Sequence, residues 1–183
     1  MNIMKKALFI HGLHSDSEFT TGGNVAEILK EHGYETIHPS FNLLDCKKTL
    51  TRIEQIVKEE KVSVIAAHSL GGFYGFIFPF EIKKILINPC LKPELEIPKL
   101  MFEGEVFPEK LATEWESLRQ NATESFSNVA KAKIYGIFAK NDELFSFADF
   151  ARNELGFEHV DFIDGGHKPT KEQLIPAIER IIK

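Results

Sequence analysis

Along the chain, short apolar runs alternate with longer segments whose apolar positions recur at the helical period. The runs, rich in β-branched and small residues, predict strands at 7–11, 35–40, 62–67, 84–88, 133–139 and 159–163. The segments between and after them predict helices at 23–32, 49–60, 70–78, 109–120, 147–155 and 171–182. Gly33 and Gly156 stand where helix C-terminal stops belong, Pro79 ends the third helix, and Thr170 is placed to cap the last one.

This alternation of strand and helix predicts an α/β fold in which helices cover both faces of a mostly parallel sheet. Such sheets bind ligands beyond the carboxyl ends of their strands. The positions to inspect are therefore His11-Gly12-Leu13, Phe41, His68-Ser69, Pro89-Cys90, Asn141-Asp142-Glu143 and Asp164-Gly165-Gly166-His167. A serine, an aspartate and a histidine fall within that short set.

A serine hydroxyl attacks a carbonyl at neutral pH only when a base takes its proton, and histidine backed by a carboxylate is the usual base. Such a serine also has to project from a sharp strand–turn–helix, with small residues two positions before and after it. In "VIAAHSLGGFYGF" those positions around Ser69 are Ala67 and Gly71, with a buried strand before and a glycine-rich helix after. The alternative is that Ser69 is a turn or cap residue. His167, in the loop before the last helix, is the candidate base, and Asp142 the candidate acid. The order serine, aspartate, histidine along the chain is the one this type of turn uses. Glu143 and Asp164 are rival acids. The two donors of an oxyanion hole are expected at the backbone N–H groups of Leu13 and Leu70, with Gly12 shaping the turn. His68 reads as a packing residue directed away from Ser69.

Composition narrows the classes. With 22 basic and 27 acidic residues the net charge is −5, so there is no basic footprint for nucleic acid or for an anionic membrane. The pair His11-x-x-His14 lacks a third ligand in reach and predicts no metal site, and Cys46 and Cys90 form neither a metal motif nor a disulfide framework. The apolar run near the N-terminus, 7–10, is too short for a signal core or a membrane span, which makes the cytoplasm the expected compartment.

The blocks "LFIHGLHS", "AAHSLGG", "LINPCL", "FAKNDELF" and "DGGHKPT" together resemble the α/β-hydrolase superfamily, and within it the small, capless bacterial serine esterases of the YqiA-like group. The resemblance runs from Lys6 to the last helix. It implies a single α/β-hydrolase domain over 1–183 with no large cap, and six core strands, the first two of the full eight-stranded fold being absent. Strands 7–11 and 35–40 should then pair near one edge. It aligns Ser69, Asp142 and His167 with the family's catalytic triad and implies no cofactor. Two positions depart from the pattern: Ala67 and Ala139 stand where the family has glycine.

The implied chemistry is hydrolysis of a small-molecule carboxylic ester or thioester through an acyl-enzyme on Ser69. Between 91 and 128 lies the longest excursion between strands, carrying Leu95, Ile97, Leu100, Met101, Phe102, Val106 and Phe107 ahead of Trp115. It is a candidate flap lining an acyl pocket, and Phe19 in the loop 14–24 is a candidate contact. Two other readings fit the same residues: a hydrolase-like fold that binds a ligand or partner without turnover, and a lyase or perhydrolase using the same three side chains.

Overall fold

In the first strand, β1 (Lys5–Ile10), Ala7 and Phe9 point to one face and Leu8 and Ile10 to the other, and all four are buried. Burial on both faces is what a parallel sheet between two helical layers requires. The computed structural model describes residues 4–15 and 21–183; Phe19 lies outside them. After β1 come α1 (Thr21–Glu31), β2 (Tyr34–Ile37), α2 (Cys46–Glu59), β3 (Val64–His68), α3 (Leu70–Ile77) and β4 (Lys83–Ile87). The chain continues through α4 (Pro93–Glu96), a 3₁₀ turn (Ile97–Leu100), α5 (Glu109–Ser125), α6 (Asn128–Lys131), β5 (Ile134–Ala139), α7 (Ala148–Asn153), β6 (His159–Ile163) and α8 (Lys171–Ile182).

All six strands run parallel in the order β2-β1-β3-β4-β5-β6. The edge pairing of the first two strands is as the resemblance implied. Register sets Ala7 between Thr36 and Val64, and Ala67 between Ile10 and Leu86. Strand order reverses between β1 and β3, so the loops leaving those strands diverge and open a crevice there. α1 and α8 cover one face through Val25, Ile28, Leu174 and Ile178. α2, α3 and α5 cover the other through Ile53, Phe73, Tyr74 and Trp115.

Several boundaries differ from the expected ones for identifiable reasons. β2 stops at Ile37 because Pro39 follows, which lacks an N–H and biases His38 away from continued pairing. α2 starts at Cys46 rather than at residue 49, since the Asp45 carboxylate accepts the Lys48 N–H at 3.0 Å and caps the first turn. β4 ends one residue early, leaving Asn88 beyond the strand with φ 42°. Thr170 forms a capping box with Gln173 at the start of α8, as the sequence suggested. The short helices α4 and α6 carry no periodic signal long enough to predict.

Two buried polar groups tie the second layer together. The Tyr74 hydroxyl donates to the Leu43 carbonyl at 2.7 Å and accepts the Trp115 indole N–H at 3.2 Å. Lys84, 2% exposed, donates to the carbonyls of Phe76 (3.3 Å) and Phe78 at the C-terminal end of α3, beneath the Phe126 ring. A cation there meets the negative end of the helix dipole and the free carbonyls of the last turn. Among the described residues no helix is long and apolar enough to cross a membrane.

Candidate active site

The turn from β3 into α3 holds Ser69 at φ 56°, ψ −124°, a conformation disfavoured for any residue with a side chain. Three main-chain bonds fix it there. The Ser69 N–H donates to the Ile87 carbonyl at 3.1 Å, and its own carbonyl accepts the N–H groups of Gly72 and Cys90, each at 2.9 Å. Gly71 permits the turn, since a Cβ at this position would lie 2.3 Å from the carbonyl oxygens of Ile10 and His11. Ala67, which stands where the resembled family has glycine, packs its methyl toward Gly75, whose missing side chain leaves room for it.

Ser69 opens into a cavity of about 270 Å³ at the β1/β3 switch point, lined by Gly12, Leu13, His14, His68, Leu144 and His167 among others. Leu100 and Phe102, from the excursion after β4, form its outer wall. Of the other residues in that excursion, Ile97 and Trp115 belong to the core, while Leu95 and Val106 are exposed. Gly12 approaches Ser69 so closely that a Cβ on it would meet the Ser69 Cβ at 2.9 Å. Leu70 is the first residue of α3, where backbone N–H groups have no carbonyl within the helix to bond. Thus Ser69, His167, Leu13 and Gly12 share one cavity, with Ala67, Leu70 and Gly71 forming the turn behind it.

Asp142 sits outside this cavity and reaches it through His167. The Nδ1 of His167 lies 3.0 and 3.1 Å from the two Asp142 carboxylate oxygens, and the two side chains are 5% and 3% exposed. Asp142 Oδ1 also accepts the N–H groups of Leu144 (2.8 Å) and Phe145 (3.1 Å), which turn the side chain inward. Burial pushes this carboxyl up, but the bonds from His167 and the two amides outweigh it, and the net shift is downward. An ionised Asp142 accepts from a proton-bearing Nδ1, and in the neutral imidazole that tautomer puts the lone pair on Nε2. The rival acids are engaged elsewhere. Glu143 accepts the main-chain N–H of His167 at 2.9 Å, and Asp164 pairs with Lys140 at 2.9 Å on the surface.

His68 departs from its expected role. Rather than packing away from the site it lines the same cavity, its ring 4.7 Å from that of His167, and its Nε2 donates to the His167 carbonyl at 2.8 Å. Burial, with the adjacent His167 adding to it, pushes His68 down to about 3, so this ring is neutral at physiological pH. Asn88, which the sequence places at the end of a strand, also reaches the site. Its side chain donates to the carbonyls of Gly166 (3.2 Å) and His167 (3.0 Å) and accepts the Ala139 N–H at 2.7 Å.

His11 and His14 do not converge. His11 Nδ1 donates to the Gly12 carbonyl at 2.8 Å and its Nε2 accepts the Phe41 N–H at 2.9 Å. His14 instead stacks on Phe102 with ring centres 4.0 Å apart and lies 3.1 Å from both oxygens of Glu105. Among the described residues no group of three or more His, Cys, Asp or Glu side chains is placed to hold a metal ion.

The same architecture recurs in solved structures. Mouse α/β hydrolase domain-containing protein 10 superposes with a TM-score of 0.64 at 18% identity, covering 97% of this chain and 89% of its own. Est1E from Butyrivibrio proteoclasticus, which has also been solved with ferulic acid bound, gives 0.66 at 18% identity, with coverages of 99% and 87%. The S-formylglutathione hydrolase FrmB from Staphylococcus aureus gives 0.64 at 18% identity, with coverages of 98% and 80%. At these identities the likeness is one of fold, and the fold is that of the α/β hydrolases. No protein of curated function matches the sequence. Over residues 6–164 the sequence matches the model of the uncharacterised protein family UPF0227, and the chain belongs to that family.

Proposed function

We propose that this member of the UPF0227 family is a serine hydrolase that cleaves a carboxylic ester or thioester of a small to medium acyl group. One observation carries the reading: a serine held in a strained strand–helix turn shares a cavity with a histidine whose far nitrogen is bonded to a buried carboxylate. In the reaction, Ser69 attacks the substrate carbonyl while His167 Nε2 takes its proton. Asp142 holds the ring in the required tautomer and stabilises the imidazolium that forms. The backbone N–H groups of Leu13 and Leu70 stabilise the oxyanion. His167 then gives its proton to the departing alkoxide or thiolate, and the acyl group remains on Ser69. In the second half His167 takes a proton from water, which attacks the acyl-enzyme, and returns that proton to Ser69 Oγ as the acyl–oxygen bond breaks and the carboxylic acid leaves. The chemistry calls only for these side chains, two amides and water, without a metal or organic cofactor.

The size and lining of the cavity support the substrate class. Its volume of about 270 Å³ lies just under the range usual for sites of drug-sized ligands, and Leu13, Leu100, Phe102 and Leu144 give it apolar walls. In this reading residues 1–183 form one domain, the excursion 91–128 contributes a small flap through Leu100 and Phe102, and the enzyme works in the cytoplasm.

The test is intact mass after exposure to a fluorophosphonate, wild type beside Ser69→Ala, followed by panels of acyl esters and thioesters. A single adduct on wild type, none on the variant, and release of carboxylic acid is the expected result. A well-folded wild type that takes up no adduct would point instead to a binding protein without turnover. Labelling without acid release would point to a lyase or perhydrolase.

A further inference from the structure

His167 stands in a loop that is poorly suited to holding anything still. Gly165 and Gly166 precede it, Gly165 at φ 124°, and glycine leaves the backbone its widest conformational choice. Asp142 fixes only the Nδ1 end of the imidazole. The Phe145 and His68 rings flank the imidazole at 5.0 and 4.7 Å, and the direction of its other end also depends on where the His167 main chain lies.

Both polar main-chain atoms of His167 are taken by side chains from other elements. The carbonyl accepts from His68 Nε2 at 2.8 Å and from Asn88 Nδ2 at 3.0 Å, and the N–H donates to Glu143 at 2.9 Å. Asn88 also reaches the Gly166 carbonyl at 3.2 Å, and its own oxygen takes the Ala139 N–H at 2.7 Å. One amide group thus joins the ends of β4 and β5 to the histidine loop. Asn88 and His68 are 2% and 3% exposed, so water does not compete for these bonds. Asn88 sits at φ 42°, a region asparagine tolerates better than most residues and one that turns its side chain out of the strand direction. A carbonyl only accepts, so His68 carries its proton on Nε2.

We infer that Asn88 and His68 are positioning residues: they clamp the main chain of His167 and so aim its imidazole from Asp142 toward Ser69. The inference rests on the hydrolase reading above. A role in stability alone would lower the amount of folded protein. The clamp instead controls the chemical step of the folded enzyme and leaves substrate binding alone.

The test compares wild type with Asn88→Asp, His68→Gln and His68→Asn in the full chain. Asn88→Asp keeps the size and backbone preference but sets a carboxylate against two carbonyls. A glutamine amide nitrogen reaches where the His68 Nε2 lies, and an asparagine amide falls short. With p-nitrophenyl acetate, kcat falls about 10²-fold in Asn88→Asp and about tenfold in His68→Asn, as small misplacements of a reacting group do. KM stays within about twofold, and His68→Gln recovers kcat to within about threefold of wild type. Proton NMR gives a readout independent of turnover. The hydrogen-bonded Nδ1–H of His167 is resolved downfield in wild type and His68→Gln, and broadened by exchange in Asn88→Asp and His68→Asn. Unchanged kcat in both damaging variants, or a downfield proton that survives in both, overturns the clamp. Equal activity of His68→Gln and His68→Asn overturns the part assigned to His68. If Asn88→Asp does not fold, the two His68 variants carry the test. A wild type that hydrolyses neither esters nor thioesters defeats the hydrolase reading, while the NMR comparison still decides the clamp.

Discussion

The carboxylate of Glu143 accepts the main-chain N–H of His167 at 2.9 Å, while its neighbour Asp142 holds the imidazole of the same residue. Two adjacent acids therefore serve one histidine in different ways. Asp142→Asn should lower kcat by about 10⁴-fold, because an amide favours the wrong tautomer. Glu143→Gln keeps an oxygen that accepts the main-chain N–H and should stay within about threefold of wild type. Steady-state ester hydrolysis by the two variants checks this, and the reverse pattern would move the acid to Glu143.

Ser69 stores strain that glycine would not. A non-glycine residue at φ 56°, ψ −124° costs on the order of 1–3 kcal/mol, held here by the bonds to Ile87, Gly72 and Cys90. Ser69→Gly should therefore be more stable than Ser69→Ala by about 1 kcal/mol, with both inactive. Urea unfolding of the two variants measures the difference. Equal midpoints would mean that the turn is not strained.

The outer wall of the cavity is fastened by exposed contacts. His14 stacks on Phe102 and meets Glu105, whose carboxylate also accepts the Phe102 N–H at 2.6 Å. That backbone bond, with His14 adding to it, holds Glu105 below the usual carboxylate range. Glu105→Gln should raise KM a few-fold with kcat little changed, and more so for longer acyl chains, as expected when an apolar wall loosens. Phe102→Ala should do the same more strongly. A series of p-nitrophenyl esters of increasing chain length would detect it, and chain-length profiles matching wild type would exclude the wall from substrate binding.

Burial lowers Lys84 to about 7 in the folded protein, against 10.5 for the free side chain. Between those values the unfolded chain binds more protons than the native one, so this group makes stability rise with pH, and below about 7 its penalty is fully present. Relative to Lys84→Met, wild type should gain stability from pH 7 to pH 10, with a slope of at most about 1.4 kcal/mol per pH unit. Urea midpoints of both proteins at pH 6, 8 and 10 give the comparison. A constant difference across that range would show that Lys84 does not change its protonation there.

Much of the architecture is legible along the chain. The run Val64–His68 is buried throughout because β3 lies between two strands and two helical layers, and an unbroken apolar run records that directly. Thr170 and Gly33 marked helix ends because capping and left-handed stops are local chemistry. Asn88 was hidden by a boundary error of one residue. With β4 read to residue 88, its asparagine counted as part of a strand and not as the first residue beyond its carboxyl end. The role of His68 is not legible in the sequence, because a strand–turn–helix pattern around Ser69 does not tell what its neighbour meets. His68 meets the carbonyl of His167, 99 positions further along the chain.

The periodic burial of side chains, the caps and the rule that parallel sheets act at their carboxyl ends were enough to assemble an α/β sheet and to bring Ser69, Asp142 and His167 onto one short list of candidates. Those signals are local, each written within a few residues. Which of two adjacent acids faces the imidazole, how Asn88 and His68 grip the loop, and which part of the long excursion walls the cavity depend on sheet order and register. Those bring the ends of β3, β4, β5 and β6 side by side, and hydrogen bonds between residues so far apart leave no period in the sequence.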